Sequence, residues 1–177
     1  MGTGRSPHGR ISLRLAVAGG ALLCGSCAYT TSTAMLPAHL KTIAIPVFEN
    51  GTAQHTLEQE LTQAVIDRFV QDNHLKVVDE RSANAVLRGR ITGYRNAVFG
   101  FSVTTQAQEY RVTLIVSVTL KDVVKNRELW TDENLTKTVN YFVVDVPGQT
   151  ARTELDGRKE AITKIADEIL SRSVEGW

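Results

Sequence analysis

The sequence predicts an α+β fold, a two-layer sandwich with two helices packed on one face of a mostly antiparallel four-stranded sheet. Three observations carry this expectation. Segments 57–71 and 154–173 each place apolar residues at helical spacing along one side only. Tyr110–Lys121 alternates apolar and polar residues with period two over its whole length. The chain has 177 residues, 42% of them hydrophobic, which suits one domain and is too short for two with sizeable cores.

Residues 1–26 read as a lipoprotein signal peptide. Met1–Arg14 is polar and basic, and Leu15–Leu23 is apolar and uncharged. That run is far below the roughly 20 residues a membrane-spanning helix needs. Cys24-Gly25-Ser26-Cys27 follows. Small residues before a thiol fit a lipobox, so Cys27 is the expected lipid attachment site and mature N-terminus. The leucine usual three residues before the cysteine is replaced by Cys24, with Leu23 one step earlier. Residues 27–39 are then a lipidated tether, and residues 40–177 the α+β domain. Both cysteines lie before the domain, which excludes a disulfide framework in it.

Within the domain, Thr42–Phe48 alternates Ile43, Ile45 and Val47 on one face and predicts a strand. Pro46 removes a ladder donor, so the strand lies at an edge or ends there. Glu49–Thr52 is a turn signal. Thr56-Leu57-Glu58-Gln59 fits a capping box that opens the first helix, with Leu57, Leu61, Ala64, Val65 and Phe69 as its buried stripe. Leu75–Val78 is a short strand. Ala83–Tyr94 is extended, with Ala85, Leu87, Gly89 and Ile91 on one face and Arg88 and Arg90 on the solvated other. Phe99–Gln108 reads as a loop. Tyr110–Lys121 and Glu128–Val139 form a hairpin around the turn at Lys125–Arg127. Pro147-Gly148 breaks the chain. The last helix carries Ile162, Ile165, Ala166, Ile169, Leu170 and Val174 on one side.

The formal charge is +1, but Arg5, Arg10 and Arg14 sit among residues 1–26, where there is no acid. The remainder holds 17 basic and 19 acidic residues, a charge of −2, which gives no general attraction for nucleic acid. His8, His39, His55 and His74 lack metal-ligand spacing, so no metal or cofactor is expected. No nucleophile motif, dinucleotide fingerprint or phosphate loop occurs, and the chain reads as a non-enzyme. Asn50-Gly51-Thr52 and Asn134-Leu135-Thr136 match a glycosylation sequon by accident in a bacterial lipoprotein.

The most specific stretch is Leu36-Pro37-Ala38-His39-Leu40-Lys41-Thr42-Ile43-Ala44-Ile45-Pro46-Val47-Phe48-Glu49-Asn50, following Cys27-Ala28-Tyr29. With Leu57–Thr62, Ala85–Ile91 and Gln108–Val112, it resembles the LptE family of outer-membrane lipopolysaccharide-assembly lipoproteins. The likeness runs from Cys27 to about Leu170. Ala28 stands where the family often has Gly; not being Asp, it favours the outer membrane in lipoproteins like this one. The resemblance implies a protein anchored by its N-terminal lipid on the periplasmic side of the outer membrane. It also implies a plug in the β-barrel LptD and contact with lipopolysaccharide. Ligand-binding residues expected on that basis are Arg95, beside Phe99 and Phe101, and Arg152, near the start of the last helix. The alternatives are a lipoprotein that regulates a peptidoglycan synthase and a curli-type secretion subunit.

Overall fold

The computed structural model describes residues 36–101 and 107–174. The signal peptide, Cys27 and most of the tether lie outside them. Strands are β1 Thr42–Ala44, β2 Glu49–Asn50, β3 Lys76–Val77, β4 Ala85–Phe101, β5 Ala107–Asp122 and β6 Arg127–Phe142; helices are α1 Leu57–Asp72 and α2 Glu154–Val174. A 3₁₀ turn spans Glu80–Ser82. The sheet order is β3-β1-β4-β5-β6, with β2 on β4 beyond the end of β1. β1 runs parallel to β3 and β4, β2 runs parallel to β4, and β4-β5-β6 is an antiparallel meander.

The α+β sandwich is present, but the sheet has six strands rather than four. The unexpected piece is β2, two residues long and without periodicity of its own, while β3 trims the expected Leu75–Val78 to Lys76–Val77. Thr42–Phe48 is not one strand: β1 stops at Ala44, and Pro46 separates it from β2. The pleat is lost there, so Val47 is exposed while Ile43, Ala44, Ile45 and Phe48 are all buried. β1 lies inside the sheet, between β3 and β4.

The core lies between the helices and one sheet face. Leu57, Leu61, Val65 and Phe69 of α1 join Ala161, Ile162, Ile165, Ala166 and Ile169 of α2 and the inward row of β5. Phe48 lies against Gly89, where an added Cβ would come within 2.4 Å of its ring. α2 crosses close to the sheet at Gly157, where a Cβ would meet Tyr141 at 2.9 Å. Arg68–Asp167 (2.6 Å) and Arg158–Glu60 (3.2 Å) link the helices.

Helix α1 does not open with the expected capping box. Thr56 adopts a left-handed conformation (φ 69°) and its side chain caps no backbone N–H. Its hydroxyl donates to the Glu60 carboxylate instead (3.1 Å). Farther in, the Thr62 hydroxyl accepts the N–H of buried Phe48 (2.9 Å), fixing the helix to the chain before β2.

Leu36–His39, at the end of the expected tether, belong to the folded body. Leu36 packs against the core, and the His39 ring reaches Asp122 at the end of β5, with Nε2–Oδ2 at 2.7 Å. Asp122 is fully buried. Burial alone would raise its carboxyl. The N–H of Lys125, the His39 ring and the N–H of Val124 outweigh that and hold it below the ordinary carboxylate range.

Candidate functional site

Period two gives the meander two unlike faces. Along β5, Val112, Leu114, Val116, Val118 and Leu120 point to the helices and are fully buried. Arg111, Thr113, Ile115, Ser117, Thr119 and Lys121 point the other way, and neither helix covers them. Register adds Arg88, Arg90, Gly93, Arg95 and Ala97 from β4, and Thr131, Thr136, Thr138 and Asn140 from β6. The open face is therefore a threonine-rich surface carrying arginines. Arg88 pairs with Glu80, and Arg90 lies 3.7 Å from Glu49, so these two are solvated surface pairs as expected.

Toward the far end of β4 and β5 the face changes character. Phe99–Phe101 were expected in a loop but belong to β4, and Ala107–Gln108 belong to β5; of the expected loop, 102–106 lie outside the described residues. Register shifts at Val98/Gly100 and Gly100/Phe101 keep the ladder going past Gly100, which faces Glu109. Phe99 and Phe101 are 49% and 65% exposed. The Arg111 guanidinium stacks over the Phe99 ring, 3.4 Å from its centroid. Its Nε donates to Asn140 Oδ1 (2.8 Å), and Asn140 Nδ2 donates to Glu109 Oε1 (2.9 Å). Arg95 faces Thr113 across the strands, is exposed, and has no ion-pair partner among the described residues. Arg95, Ala97, Val98, Phe99, Arg111 and Thr113 line a shallow recess of about 180 Å³. An oriented guanidinium, a free one and an exposed ring here form a surface suited to an anionic amphiphile.

Arg152 is elsewhere. Its Nη1 pairs with Glu160 at 2.8 Å and its Nη2 donates to the Asp156 carbonyl (3.2 Å), on the helix side of the sheet. The start of α2 is closed by a box of its own. Thr153 N–H and hydroxyl donate to Asp156 Oδ2, and the Asp156 N–H donates to Thr153 Oγ1. Those two donors from Thr153 hold the Asp156 carboxyl below its ordinary value. Tyr94 OH donates to Glu154 (2.7 Å), and burial, then this carboxylate, push the phenol well above its usual value. Arg152 thus sits among acids, and the structure does not bring it to Arg95.

Sequence reasoning passed over Arg111. The signal was present: it alternates with Val112, and the extension of β4 from the expected Tyr94 to Phe101 puts it beside Phe99. Among the described residues no group of three His, Cys, Asp or Glu side chains could hold a metal ion, and no helix is long and apolar enough to cross a membrane.

The LptE family model, described as lipopolysaccharide-assembly, matches residues 40–173. No curated protein matches the chain at a significant level. Among solved structures, a hypothetical protein from Chlamydia trachomatis superposes with a TM-score of 0.54 at 10% identity, over 75% of this chain and 95% of its own. A protein from Xanthomonas campestris gives 0.53 at 11% identity, over 79% and 90%. The rare lipoprotein B from Shewanella oneidensis gives 0.44 at 22% identity, over 72% and 91%. The first two share the fold.

Proposed function

The chain belongs to the LptE family of lipopolysaccharide-assembly proteins, and from that premise we propose that it docks with an LptD-like outer-membrane β-barrel and contacts lipopolysaccharide through the open face of its meander. Cys27 carries the lipid that holds it at the periplasmic side of the outer membrane. The role is non-catalytic: the protein binds and positions an amphiphile. Family membership replaces the peptidoglycan-synthase and curli-type readings.

The observation that carries the lipopolysaccharide contact is the Arg95–Phe99–Arg111 arrangement. Its guanidinium groups can donate charge-assisted hydrogen bonds to lipid A phosphates, while Phe99 and Phe101 offer apolar area to acyl chains. Arg152 enters the proposal on weaker ground, because binding a phosphate there requires leaving Glu160. Single variants separate the two. Arg95→Glu should weaken binding of purified lipopolysaccharide about ten-fold, the scale of one lost hydrogen bond to a charged group. Arg152→Glu should change it little. Both should still co-purify the barrel. Equal binding by Arg95→Glu and the parent chain would leave only the docking role. Palmitate labelling lost in Cys27→Ala but kept in Cys24→Ala tests the anchor.

A further inference from the structure

At the end of the meander opposite the Arg95 recess, the β5–β6 turn holds Val123 and Val124, 40% and 60% exposed. Lys121 and Lys125 flank them and have no ion-pair partner among the described residues. Arg127 adds a third cation, 3.9 Å from Asp122. Two acids flank the turn in sequence, Glu128, across the ladder from Lys121, and Asp122, which is buried beneath the turn.

The turn is held in one shape. Asp122 Oδ1 accepts the N–H groups of Val124 and Lys125, both at 3.0 Å, and Val123 N–H donates to Asn84 O (2.9 Å). The same carboxylate binds His39, so the lead-in segment meets the turn at this end of the domain. From Leu36 back to Cys27 there are nine residues. Nine residues span at most about 32 Å.

We infer that the β5–β6 turn is a second, non-covalent membrane contact, seating Val123 and Val124 at an anionic phospholipid surface with Lys121, Lys125 and Arg127 against its phosphodiesters. This rests on the reading of Cys27 as the lipid-bearing residue. A short tether leaving beside a rigid turn keeps that turn near the bilayer. Apolar tips ringed by cations match the headgroup–acyl boundary in chemistry. The His39–Asp122 contact sets which part of the domain faces the lipid.

The test uses the full, processed chain with Val124→Cys carrying an environment-sensitive dye, and Val144→Cys, two residues past the far end of β6, as comparison. The parent chain is the labelling blank. Vesicles contain phosphatidylethanolamine with phosphatidylglycerol. Flotation reads the anchor, and the dye reads the turn. The expected result is a blue shift and about two-fold brighter emission at 124, neither at 144, and loss of most of it in Lys121→Glu/Lys125→Glu. A chain that floats with no difference between 124 and 144 overturns the inference and leaves the anchor intact. A chain that does not float overturns the anchor reading and the inference with it. A shift that survives the double charge reversal overturns the anionic surface as occupant. One that appears only with the β-barrel present assigns the turn to a protein rim instead.

Discussion

The inner and outer rows of β5 occupy the same backbone, yet share almost nothing else. The inner row from Val112 to Leu120 is aliphatic and fully buried, and it packs against α2 in the core that both helices share. The outer row from Arg111 to Lys121 is polar except at Ile115 and at least partly exposed, and some of it is bonded to neighbours one strand away, as in Arg111 to Asn140 and Thr119 to Thr131. The comparison teaches that in this fold parity separates stability from recognition. A residue moved by one position changes from structural to available.

The largest expected effect tests that separation directly. Leu114→Ala should cost about 2–5 kcal/mol, since it empties a fully buried site between sheet and helices. Its neighbour Thr113→Ala should stay within about 0.5 kcal/mol. Denaturant unfolding of both reads the contrast, and comparable losses would break the rule of parity. The glycines sharpen it. Gly89 faces inward against Phe48, and Gly89→Ala should cost about 1–3 kcal/mol, because the buried ring has nowhere to go. Gly93 faces outward, where the added Cβ would be 3.1 Å from Ile115 Cδ1, and Gly93→Ala should be nearly neutral because that half-exposed side chain can yield.

Asp122 is the instructive exception, since it continues the inner row but is a carboxylate. Its folded-state pKa is depressed, so its contribution to stability is complete above the unfolded value of about 3.9. That contribution is lost as pH falls through the lower folded value. Stability measured from about pH 6 downward should therefore drop with acid, and Asp122→Asn should flatten part of that slope. An unchanged slope would mean that other carboxylates set the acid limit. The smallest effect belongs to the outer face: Arg88→Ala should cost at most about 1 kcal/mol, because its pair with Glu80 is solvent-exposed.

Much of this was legible in the residues. The alternation of β5 and the stripes of α1 and α2 announce their buried sides, and Ala85, Leu87 and Ile91 lie inward as their spacing implies. What escaped was long-range or locally ambiguous. The two-residue strand β2 falls in the expected turn and exists only because β4 offers it a ladder, whereas β3 lies within the expected strand Leu75–Val78. Phe99-Gly100-Phe101 looked like a loop because of its glycine, yet Gly100 is held in pairing by Glu109. The Thr56 box failed because the chain arrives in a left-handed turn, whereas the box that forms uses Thr153 and Asp156. Of the candidate site, Arg95 and the aromatics could be found by position. Its assembly with Arg111 depended on register, and the engagement of Arg152 by Glu160 on tertiary placement.

The placement of β1 has a consequence for how the chain comes together in time. The meander is made of sequence neighbours and can close hairpin by hairpin as it is synthesised. β1 cannot, because Ile43 pairs with Val77 and Ala85, and His39 waits for Asp122, 83 residues later. The lead-in is made before its partners and is completed only once they arrive. Until Val77 and Ala85 arrive, Ile43 and Ala44 lie in an unpaired apolar strand, the kind of segment a holding chaperone grips. Folding should end with a slow closing step that is absent from the isolated hairpins, and the lead-in clasp marks its completion.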